Sequence, residues 1–297
     1  MIYDHILDKR QLRQAFERAA ASYDQAAVLQ REVGERMLAR LDYIKYTPDW
    51  ILDMGSGTGY GSRKLIERYP HSKLLALDIA LAMHLQARQP VPRWQQWLPL
   101  GLPLGKRAMT HYVGADIEQL PLRDACVDMI WSNLTIQWCN DLKQTFAETH
   151  RVLKKGGLLM FSTFGPDTLK ELKQAFKTVD SYNHINRFMD MHDIGDLLVY
   201  SGFATPVMDM EYITLTYQEV MDIMRDLKTI GAHNVTHGRQ RGLTGKGRWQ
   251  QVVKHYESFR QAGRLPATFE VVYGHAWKPE PRQVVLNPET RRKLGLE

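Results

Sequence analysis

An acidic residue followed by three regularly spaced glycines is the first feature of this sequence that could do chemistry. The segment reads Ile51-Leu52-Asp53-Met54-Gly55-Ser56-Gly57-Thr58-Gly59. Its apolar start predicts a buried parallel strand, and its glycines predict a tight turn that lets a ligand approach the backbone closely. A dinucleotide-binding turn would need the spacing Gly-x-Gly-x-x-Gly, but Tyr60 occupies the position of the third glycine. The spacing therefore argues against a dinucleotide site. An ordinary glycine-rich turn between a strand and a helix, without a ligand, stays open as the alternative to a ligand-binding turn.

Acidic residues recur where further strands are predicted to end. Asp53 closes the first strand, Asp78 closes the second, and Asp116 lies just beyond the third. In an open α/β sheet the ligand binds beyond the carboxyl ends of the strands. There Asp78 can accept both hydroxyl protons of a ribose, the Asp116-Ile117 pair can bind and cover an adenine ring, and Met83 can pack on the other face of that ring. Each Asp could instead cap the helix that follows it, and an oxidoreductase could also use Asp78 on a ribose.

Alternating segments predict the elements that must position these residues. Strands are predicted at about 50–54, 74–77, 111–114, 127–132, 158–163, 206–214 and 268–277. Helices are predicted at about 9–41 with a break near 21–24, and at about 60–69, 80–89, 141–153, 167–179, 190–201 and 217–230. Lys154-Lys155-Gly156-Gly157 is interpreted as a cationic last helical turn and a glycine stop. Because strands alternate with helices, we expect an α/β fold with a Rossmann-like, doubly wound, seven-stranded sheet and helical cap elements.

Composition limits the classes of protein that the chain can form. Its 297 residues, 44% of them hydrophobic, suffice for one large α/β domain or two small ones. No apolar stretch approaches the ~20 residues of a membrane span, and the start of the chain lacks the features of a signal peptide. The two cysteines, Cys126 and Cys139, supply no disulfide framework and are interpreted as small buried thiols. We therefore expect a cytoplasmic protein without a membrane partner.

Positive charge is concentrated in one segment. The net charge is +6, and residues 225–264 alone contain nine Lys or Arg against two acidic residues, an excess of seven. Such a surface attracts nucleic acid, an anionic membrane or an acidic protein, although a solvated face without a function is the commonest explanation. The segment has few aromatic residues for base stacking, which disfavours a nucleic-acid partner. His233 and His237 lie four residues apart in it, but without a nearby carboxylate they do not predict a metal site.

The glycine turn and the acids at the strand ends resemble those of class I S-adenosylmethionine-dependent methyltransferases, whose cofactor has no pyrophosphate. More specific segments resemble the malonyl-[acyl-carrier protein] O-methyltransferases of biotin synthesis. These segments lie at residues 15–24, 29–31, 116–122, 132–139, 161–166, 184–188 and 227–232, and the most particular are Gln137-Trp138-Cys139 and Asn186-Arg187-Phe188. Residues 90–110 depart from the resemblance, since they form a longer connection rich in Pro and Trp that we interpret as an exposed loop.

The resemblance implies a class I methyltransferase fold, S-adenosylmethionine as cofactor with S-adenosylhomocysteine as product, and no metal. It implies methyl transfer to the free carboxyl group of a malonyl thioester on acyl carrier protein. Methylation removes the negative charge of the malonyl carboxylate. The resulting methyl ester can then pass through fatty-acid elongation towards pimeloyl and biotin. The cofactor-binding residues that it implies are Asp53, Gly55, Ser56, Gly57, Asp78, Ile79, Met83, Asp116, Ile117 and Asn133.

The implied reaction needs no general base. A carboxylic acid has a pKa around 4, so the nucleophile is already an anion at neutral pH. What the protein must supply is alignment of the reacting atoms and exclusion of water. The carboxylate must still be held, and the cap segments of the resemblance offer Arg187 and Tyr23 for this role. Arg187 could instead form a surface ion pair, Tyr23 could be a core residue, and Asn133 could be a capping residue.

We expect a single methyltransferase domain. Its parts are an N-terminal helical cap at 1–43, a cofactor-binding core at 44–165, cap helices and C-terminal strands at 166–278, and a tail at 279–297. Acyl carrier protein is acidic, and the predicted docking residues are Arg239, Arg241, Lys246 and Arg248. Two alternatives stay open, since a fold alone does not set a substrate. One is another methyltransferase that acts on a small carboxylic acid or a quinone-type substrate. The other is a non-catalytic binding protein, which the intact turn and acids disfavour.

Overall fold

A single seven-stranded sheet runs through the part of the chain that the structure describes. The computed structural model describes residues 6–88, 109–180, 182, 184–232, 234–236 and 245–280. Most of the loop expected at 90–110 and of the tail expected at 279–297 lies outside these residues, as do His233, His237, Arg239 and Arg241. Within the described residues, no helix is both long and apolar enough to cross a membrane.

The order of the strands is that of a doubly wound fold. The strands are β1 (Trp50–Met54), β2 (Lys73–Asp78), β3 (Thr110–Gly114), β4 (Val127–Ser132), β5 (Leu153–Phe164), β6 (Ala204–Tyr217) and β7 (Leu265–Trp277). They lie in the order β3-β2-β1-β4-β5-β7-β6. Strands β1 to β5 pair in parallel, whereas β7 runs antiparallel to both β5 and β6. The predicted seven-stranded sheet is confirmed, and its strand order reverses between β1 and β4.

The helices follow the predicted ones to within a few residues, with one addition. They are α1 (Lys9–Ala19), α2 (Tyr23–Ala26), α3 (Val28–Arg40), α4 (Tyr60–Arg68), α5 (Leu81–Ala87), α6 (Leu142–Val152), α7 (Lys170–Lys177), α8 (Met191–Tyr200), α9 (Val220–Thr229) and α10 (Lys246–Glu257). Helix α10 was not predicted. It lies in the basic segment, and it buries Val252 and Tyr256.

One expected helix end is wrong. Helix α6 ends at Val152, and β5 begins at the next residue, so the Lys154-Lys155-Gly156-Gly157 run belongs to the strand. A Cβ atom on Gly157 would lie 2.7 Å from the Lys154 carbonyl oxygen and 2.9 Å from that of Asp128. The glycine is therefore needed for close approach of backbones rather than for ending a helix.

The central strands are buried on both faces because helices cover both sides of the sheet. Successive side chains of a strand point to opposite faces. Ile51 accordingly packs in one apolar cluster with Met37 of α3, while its neighbour Leu52 packs in the other with Phe146 of α6 and Leu198 of α8. Burial of each such side chain contributes about 1.5–3 kcal/mol to the free energy of unfolding. Because helices cover both faces, the sheet can bind a ligand at the edge formed by the ends of its strands.

Candidate active site

A cavity of about 1220 Å³ lies at the carboxyl ends of the parallel strands. Each of β1 to β5 has a residue at or just beyond its carboxyl end that lines the cavity, namely Gly55, Asp78, Asp116, Asn133 and Phe164. Helices α1 to α3 cover the part next to β1, β2 and β3, and segments that follow β5 cover the rest. We call the part of the cavity above β1 to β4 the first lobe and the part above β5 to β7 the second lobe.

The glycine turn forms the floor of the first lobe. It is held to β2 because the Gly55 and Ser56 amides donate to the Leu77 carbonyl oxygen at 2.8 and 2.9 Å. Gly55 has φ +83°, and a Cβ there would lie 2.2 Å from Thr135 Oγ1. Gly57 has φ +52° and would meet no atom within 4 Å, so the space that a side chain would fill belongs to the cavity. The turn thus leaves room for a ligand against bare backbone.

Two carboxyl groups stand beside the turn, one buried (Asp53) and one half-buried (Asp78). Asp78 Oδ2 accepts from the Gly57 amide at 2.9 Å, and its Oδ1 accepts from the Ala80 amide at 2.8 Å. Asp53 Oδ2 accepts from Ser62 Oγ at 2.5 Å. Burial raises the pKa of Asp78 to about 6 and that of Asp53 to about 7. Asp78 therefore both fixes the turn and presents an acceptor to the cavity, whereas Asp53 does not line the cavity.

The side chains predicted to surround an adenine lie together at the β3 end of the first lobe. Asp116, Ile117 and Met83 all line the cavity there. Lys9 of α1 reaches Asp116 Oδ1 at 3.1 Å and Glu118 Oε2 at 2.6 Å. The same Asp116 oxygen also accepts from the Glu118 amide at 3.1 Å, so this carboxylate stabilises its own turn as well as facing the cavity.

Helices α1 and α2 are fastened over the first lobe by polar contacts to the loops beneath them. The Glu17 carboxylate accepts from the Leu81 and Ala82 amides at 2.9 and 3.0 Å, which satisfies two free N–H groups at the start of α5. Thr58 Oγ1 in the glycine turn donates to Asp24 Oδ1 at 2.5 Å. The N-terminal cap therefore docks on the same loops that line the cavity.

Tyr23 lies in this cap and lines the first lobe. Its ring packs against an apolar cluster that contains Ala20, Ala80 and Met83. Burial, with the nearby charge of Asp78, raises the pKa of the Tyr23 hydroxyl. The hydroxyl is therefore protonated at neutral pH and can act as a neutral hydrogen-bond donor.

Asn133 lines the cavity but uses both ends of its amide within the protein. Its Nδ2 donates to the Gln30 carbonyl oxygen at 2.8 Å, and its Oδ1 accepts from Ser162 Oγ at 2.9 Å. Asn133 thus joins β4 to α3. Gln30 itself lines the cavity, and its Oε1 is buried without a hydrogen-bond partner among the described residues. This side-chain oxygen can accept from the ammonium group of a bound amino acid. Gln30 lies in the resembling segment 29–31 but was not among the predicted site residues.

The second lobe is mostly apolar. Its lining includes Phe164, Leu172, Phe176, Phe188, Leu215 and Phe269. Asn186 lines it as well, whereas the Arg187 side chain is exposed and does not reach the cavity. Two neighbours in the sequence therefore point in different directions, and the one predicted to bind the substrate points outwards.

Nine of the twelve predicted site residues line one cavity, and Asp53, Ser56 and Arg187 do not. Ser56 Oγ instead lies 3.4 Å from His84 Nε2 on the side of α5. In the described ranges, no group of three or more His, Cys, Asp or Glu side chains could hold a metal ion. That the site works without a metal stays a prediction.

The strand order and the turn define the class I methyltransferase fold. A family model described as a methyltransferase domain matches residues 52–161, and a second with the same description matches residues 108–252. The YcgJ protein of Bacillus subtilis has a similar fold, with a TM-score of 0.53, 16% identity and coverage of 82% of this chain and 98% of that one. A putative methyltransferase of Bacillus halodurans gives a TM-score of 0.54 at 17% identity over 82% of this chain and 99% of that one.

Relatives that match over nearly the whole chain identify one family within the class I methyltransferases. The malonyl-[acyl-carrier protein] O-methyltransferase of Nitrosospira multiformis is 66% identical over 99% of this chain and 97% of its own length. The enzyme of that name in Gallionella capsiferriformans is 59% identical over 94% of each chain. The chain belongs to the malonyl-[acyl-carrier protein] O-methyltransferase family, and it is an S-adenosylmethionine-dependent O-methyltransferase.

The raised pKa of Asp78 predicts that cofactor affinity depends on pH. Only the carboxylate form can accept both ribose hydroxyl protons, so affinity for S-adenosylmethionine should increase as the pH rises from about 5 to about 7.5. Isothermal titration calorimetry across this range measures the effect. Asp78→Asn should flatten the dependence, and a dissociation constant of the native protein that does not change with pH would contradict the assignment.

In the ligand-free protein, the same raised pKa values should make stability change with pH in the direction opposite to cofactor affinity. The folded-state pKa values of Asp78 and Asp53 lie above the ordinary value of 3.8, so the folded state keeps protons that the unfolded chain has released. The contribution of these two groups to the free energy of unfolding therefore falls as the pH rises from about 4 to about 7. Melting temperatures without ligand provide the matching control for the titration.

Proposed function

We propose that the protein transfers the methyl group of S-adenosylmethionine to the free carboxylate of malonyl-[acyl-carrier protein]. The product would be the malonyl methyl ester that primes pimeloyl and biotin synthesis. The observation that carries this proposal is 66% identity over 99% of the chain to a relative of that name. We further propose that the chain acts as one domain with the cap and core boundaries expected above, in the cytoplasm and without a metal.

The order of strands along the sheet supports an arrangement of cofactor and acceptor. Asp116 follows β3, Asp78 ends β2, Gly55 follows β1 and Asn133 follows β4, and these strands are consecutive neighbours. Adenine at Asp116 and ribose at Asp78 would place the amino-acid end of the cofactor near Gly55, Asn133 and Gln30. The methyl acceptor would then occupy the second lobe, beyond β4.

The chemistry that the cofactor supplies is a methyl group on a positively charged sulfur. The acceptor carboxylate is already ionised, so the protein needs to orient it and keep water away. The apolar lining of the second lobe suits the second task, because charges of opposite sign attract each other more strongly where water is excluded. The protonated Tyr23 hydroxyl can donate to a carboxylate without adding charge.

A direct test compares three thioesters with labelled S-adenosylmethionine. Malonyl thioester should accept the label, acetyl thioester should not because it lacks a free carboxylate, and succinyl thioester should react more slowly because its carboxylate is displaced by one methylene group. Equal transfer to all three, or transfer to none, would contradict the proposed substrate.

Removal of the Tyr23 hydroxyl tests the first of the two predicted substrate-binding residues. Tyr23→Phe keeps the ring among Ala80 and Met83, so the melting temperature should change little. Loss of one ordinary hydrogen bond should lower kcat/KM for the malonyl thioester by about 0.5–1.5 kcal/mol, roughly 2- to 13-fold. Titration with S-adenosylmethionine is the control. A loss confined to cofactor affinity would assign the hydroxyl to the cofactor instead.

We propose that the basic segment 225–264 receives the acidic carrier protein. Lys246 and Arg248 lie exposed in the first turn of α10. Cations are unfavourable at the start of a helix because they face its positive dipole end, so their placement is not explained by helix stability. Arg239 and Arg241 complete the predicted docking set but lie outside the described residues.

Charge reversal separates carrier docking from chemistry. Lys246→Glu with Arg248→Glu should slow methyl transfer to malonyl-[acyl-carrier protein], mainly through the association rate, and spare malonyl-coenzyme A. The effect should shrink at high salt, because the charges are exposed. The matched control is Lys45→Glu with Lys155→Glu, the same change of charge on exposed residues near the amino ends of the strands. Equal loss on both substrates would argue against docking.

A further inference from the structure

Asn186 carries a buried polar group that the protein leaves unpaired. The residue is 8% exposed, and its side-chain Oδ1 has no hydrogen-bond partner among the described residues. Buried polar groups are normally hydrogen-bonded, because loss of hydration costs stability that only a partner restores. The side chain lines the cavity, so a partner can come from a ligand.

Two other polar side chains near Asn186 are already paired within the protein, and the lining of the cavity also includes the charged Asp226 and Lys228. Thr168 Oγ1 donates to the Glu270 carbonyl oxygen at 3.1 Å, and His184 Nε2 lies 2.7 Å from Asp180 Oδ1. Both side chains line the cavity, and both are satisfied by the protein. Asn186 differs from them because its amide is buried and its oxygen is unpaired.

The segment that carries Asn186 is held by ring contacts on both sides. The His184 ring stacks on Phe176 with centroids 3.8 Å apart and an interplanar angle of 12°. The Phe188 ring contacts the Phe164 ring edge-on, with the ring centroids 5.6 Å apart. These contacts fix the backbone around Asn186, so its amide is directed into the lobe by packing rather than by a ligand.

We propose that the side-chain amide of Asn186 donates a hydrogen bond to the carboxylate of the methyl acceptor and so orients it for attack. A half-turn about the last side-chain bond exchanges Oδ1 and Nδ2, which brings an N–H donor to the unpaired position. This inference rests on the proposed function, since it takes the acceptor to be a carboxylate in the second lobe.

A neutral donor suits this reaction better than a cation does. The carboxylate loses its negative charge as it bonds to the methyl carbon, so a tight ion pair would stabilise the starting state more than the transition state. A neutral amide orients the same carboxylate oxygen atoms and stabilises the starting state less than a cation would. The exposed Arg187 guanidinium next to it is then left for the mouth of the cavity or the solvent.

Substitutions at Asn186 test the proposal in the full-length protein with malonyl-coenzyme A. Asn186→Ala should lower kcat/KM roughly 13- to 160-fold, the range for one lost hydrogen bond to a charged group. Asn186→Asp, which keeps the shape but places a second carboxylate beside the first, should lower it further. Gln174→Ala, which removes an exposed amide from neighbouring α7, is the matched control and should change neither rate nor stability.

Two further measurements distinguish substrate binding from a structural role. Affinity for S-adenosylmethionine should be unchanged in Asn186→Ala, and its melting temperature should stay level or rise because an unpaired buried group has been removed. A lower melting temperature with rates like those of the native protein would overturn the proposal. So would a large loss in Arg187→Ala with none in Asn186→Ala. If the native protein does not methylate malonyl-coenzyme A or the carrier-bound form, the proposed function itself fails.

Discussion

Asp78→Ala is expected to remove most of the affinity for S-adenosylmethionine. The carboxylate fixes the glycine turn through the Gly57 amide, and we propose that its two oxygens also accept from the ribose hydroxyl groups. Hydrogen bonds to a charged group contribute about 1.5–3 kcal/mol each, so the loss of two should raise the dissociation constant by roughly two orders of magnitude or more. Calorimetric titration and the ligand-induced rise in melting temperature both measure this change.

The control for this experiment is a helix-capping Asp outside the cavity. Asp190 accepts from the His192 amide at the start of α8, and Asp190→Ala should lower stability modestly without a change in cofactor affinity. If Asp78→Ala behaved in the same way, with lower stability and normal affinity, Asp78 would be a structural residue of the turn and α5.

Gly55→Ala is expected to destabilise the fold as well as the site. The methyl group would lie 2.2 Å from Thr135 Oγ1, and the residue would have to keep φ +83°. A left-handed conformation costs an ordinary residue about 1–2 kcal/mol, and overpacking adds about 1–3 kcal/mol. We expect the free energy of unfolding to fall by about 2–5 kcal/mol, as measured by urea denaturation.

Gly57→Ala separates backbone strain from collision. Its φ of +52° is also left-handed, but a Cβ there meets no protein atom within 4 Å. Stability should therefore fall by only about 1–2 kcal/mol, while the added methyl group enters the cavity and weakens cofactor binding. Equal stability losses in the two variants would show that the Thr135 contact relaxes without cost.

Regular patterns in the sequence were enough to predict the elements of the sheet and the first lobe. Apolar runs of three and four residues, each followed directly by an Asp, mark β1 and β2, whose central residues are buried. Asp78 and Asp116 could be placed at one edge because parallel strands end on the same side. Helix α10 was missed although Trp249, Val252, Val253 and Tyr256 repeat at helical spacing, because the segment's charge dominated its interpretation.

The second lobe could not be derived in this way. Residues 184–188 have no helix or strand period, so the sequence cannot show that Asn186 points inwards and Arg187 outwards. The direction is set by two ring contacts, from His184 to Phe176 of α7 and from Phe188 to Phe164 at the end of β5, and no local sequence pattern shows such tertiary contacts. The prediction that Gly157 ends a helix was wrong for a similar reason. The backbone that this glycine approaches belongs partly to Asp128 on a neighbouring strand, which the local sequence does not show.

The position of β7 between β5 and β6 governs when the molecule can finish folding during synthesis. Strand β5 ends at Phe164, but its outer edge stays without a partner until residues 265–277 have left the ribosome, about a hundred residues later. Strand β6 waits for the same partner. Until then the nascent chain exposes two long strand edges, which favour aggregation. The half of the sheet beneath the second lobe is therefore completed last.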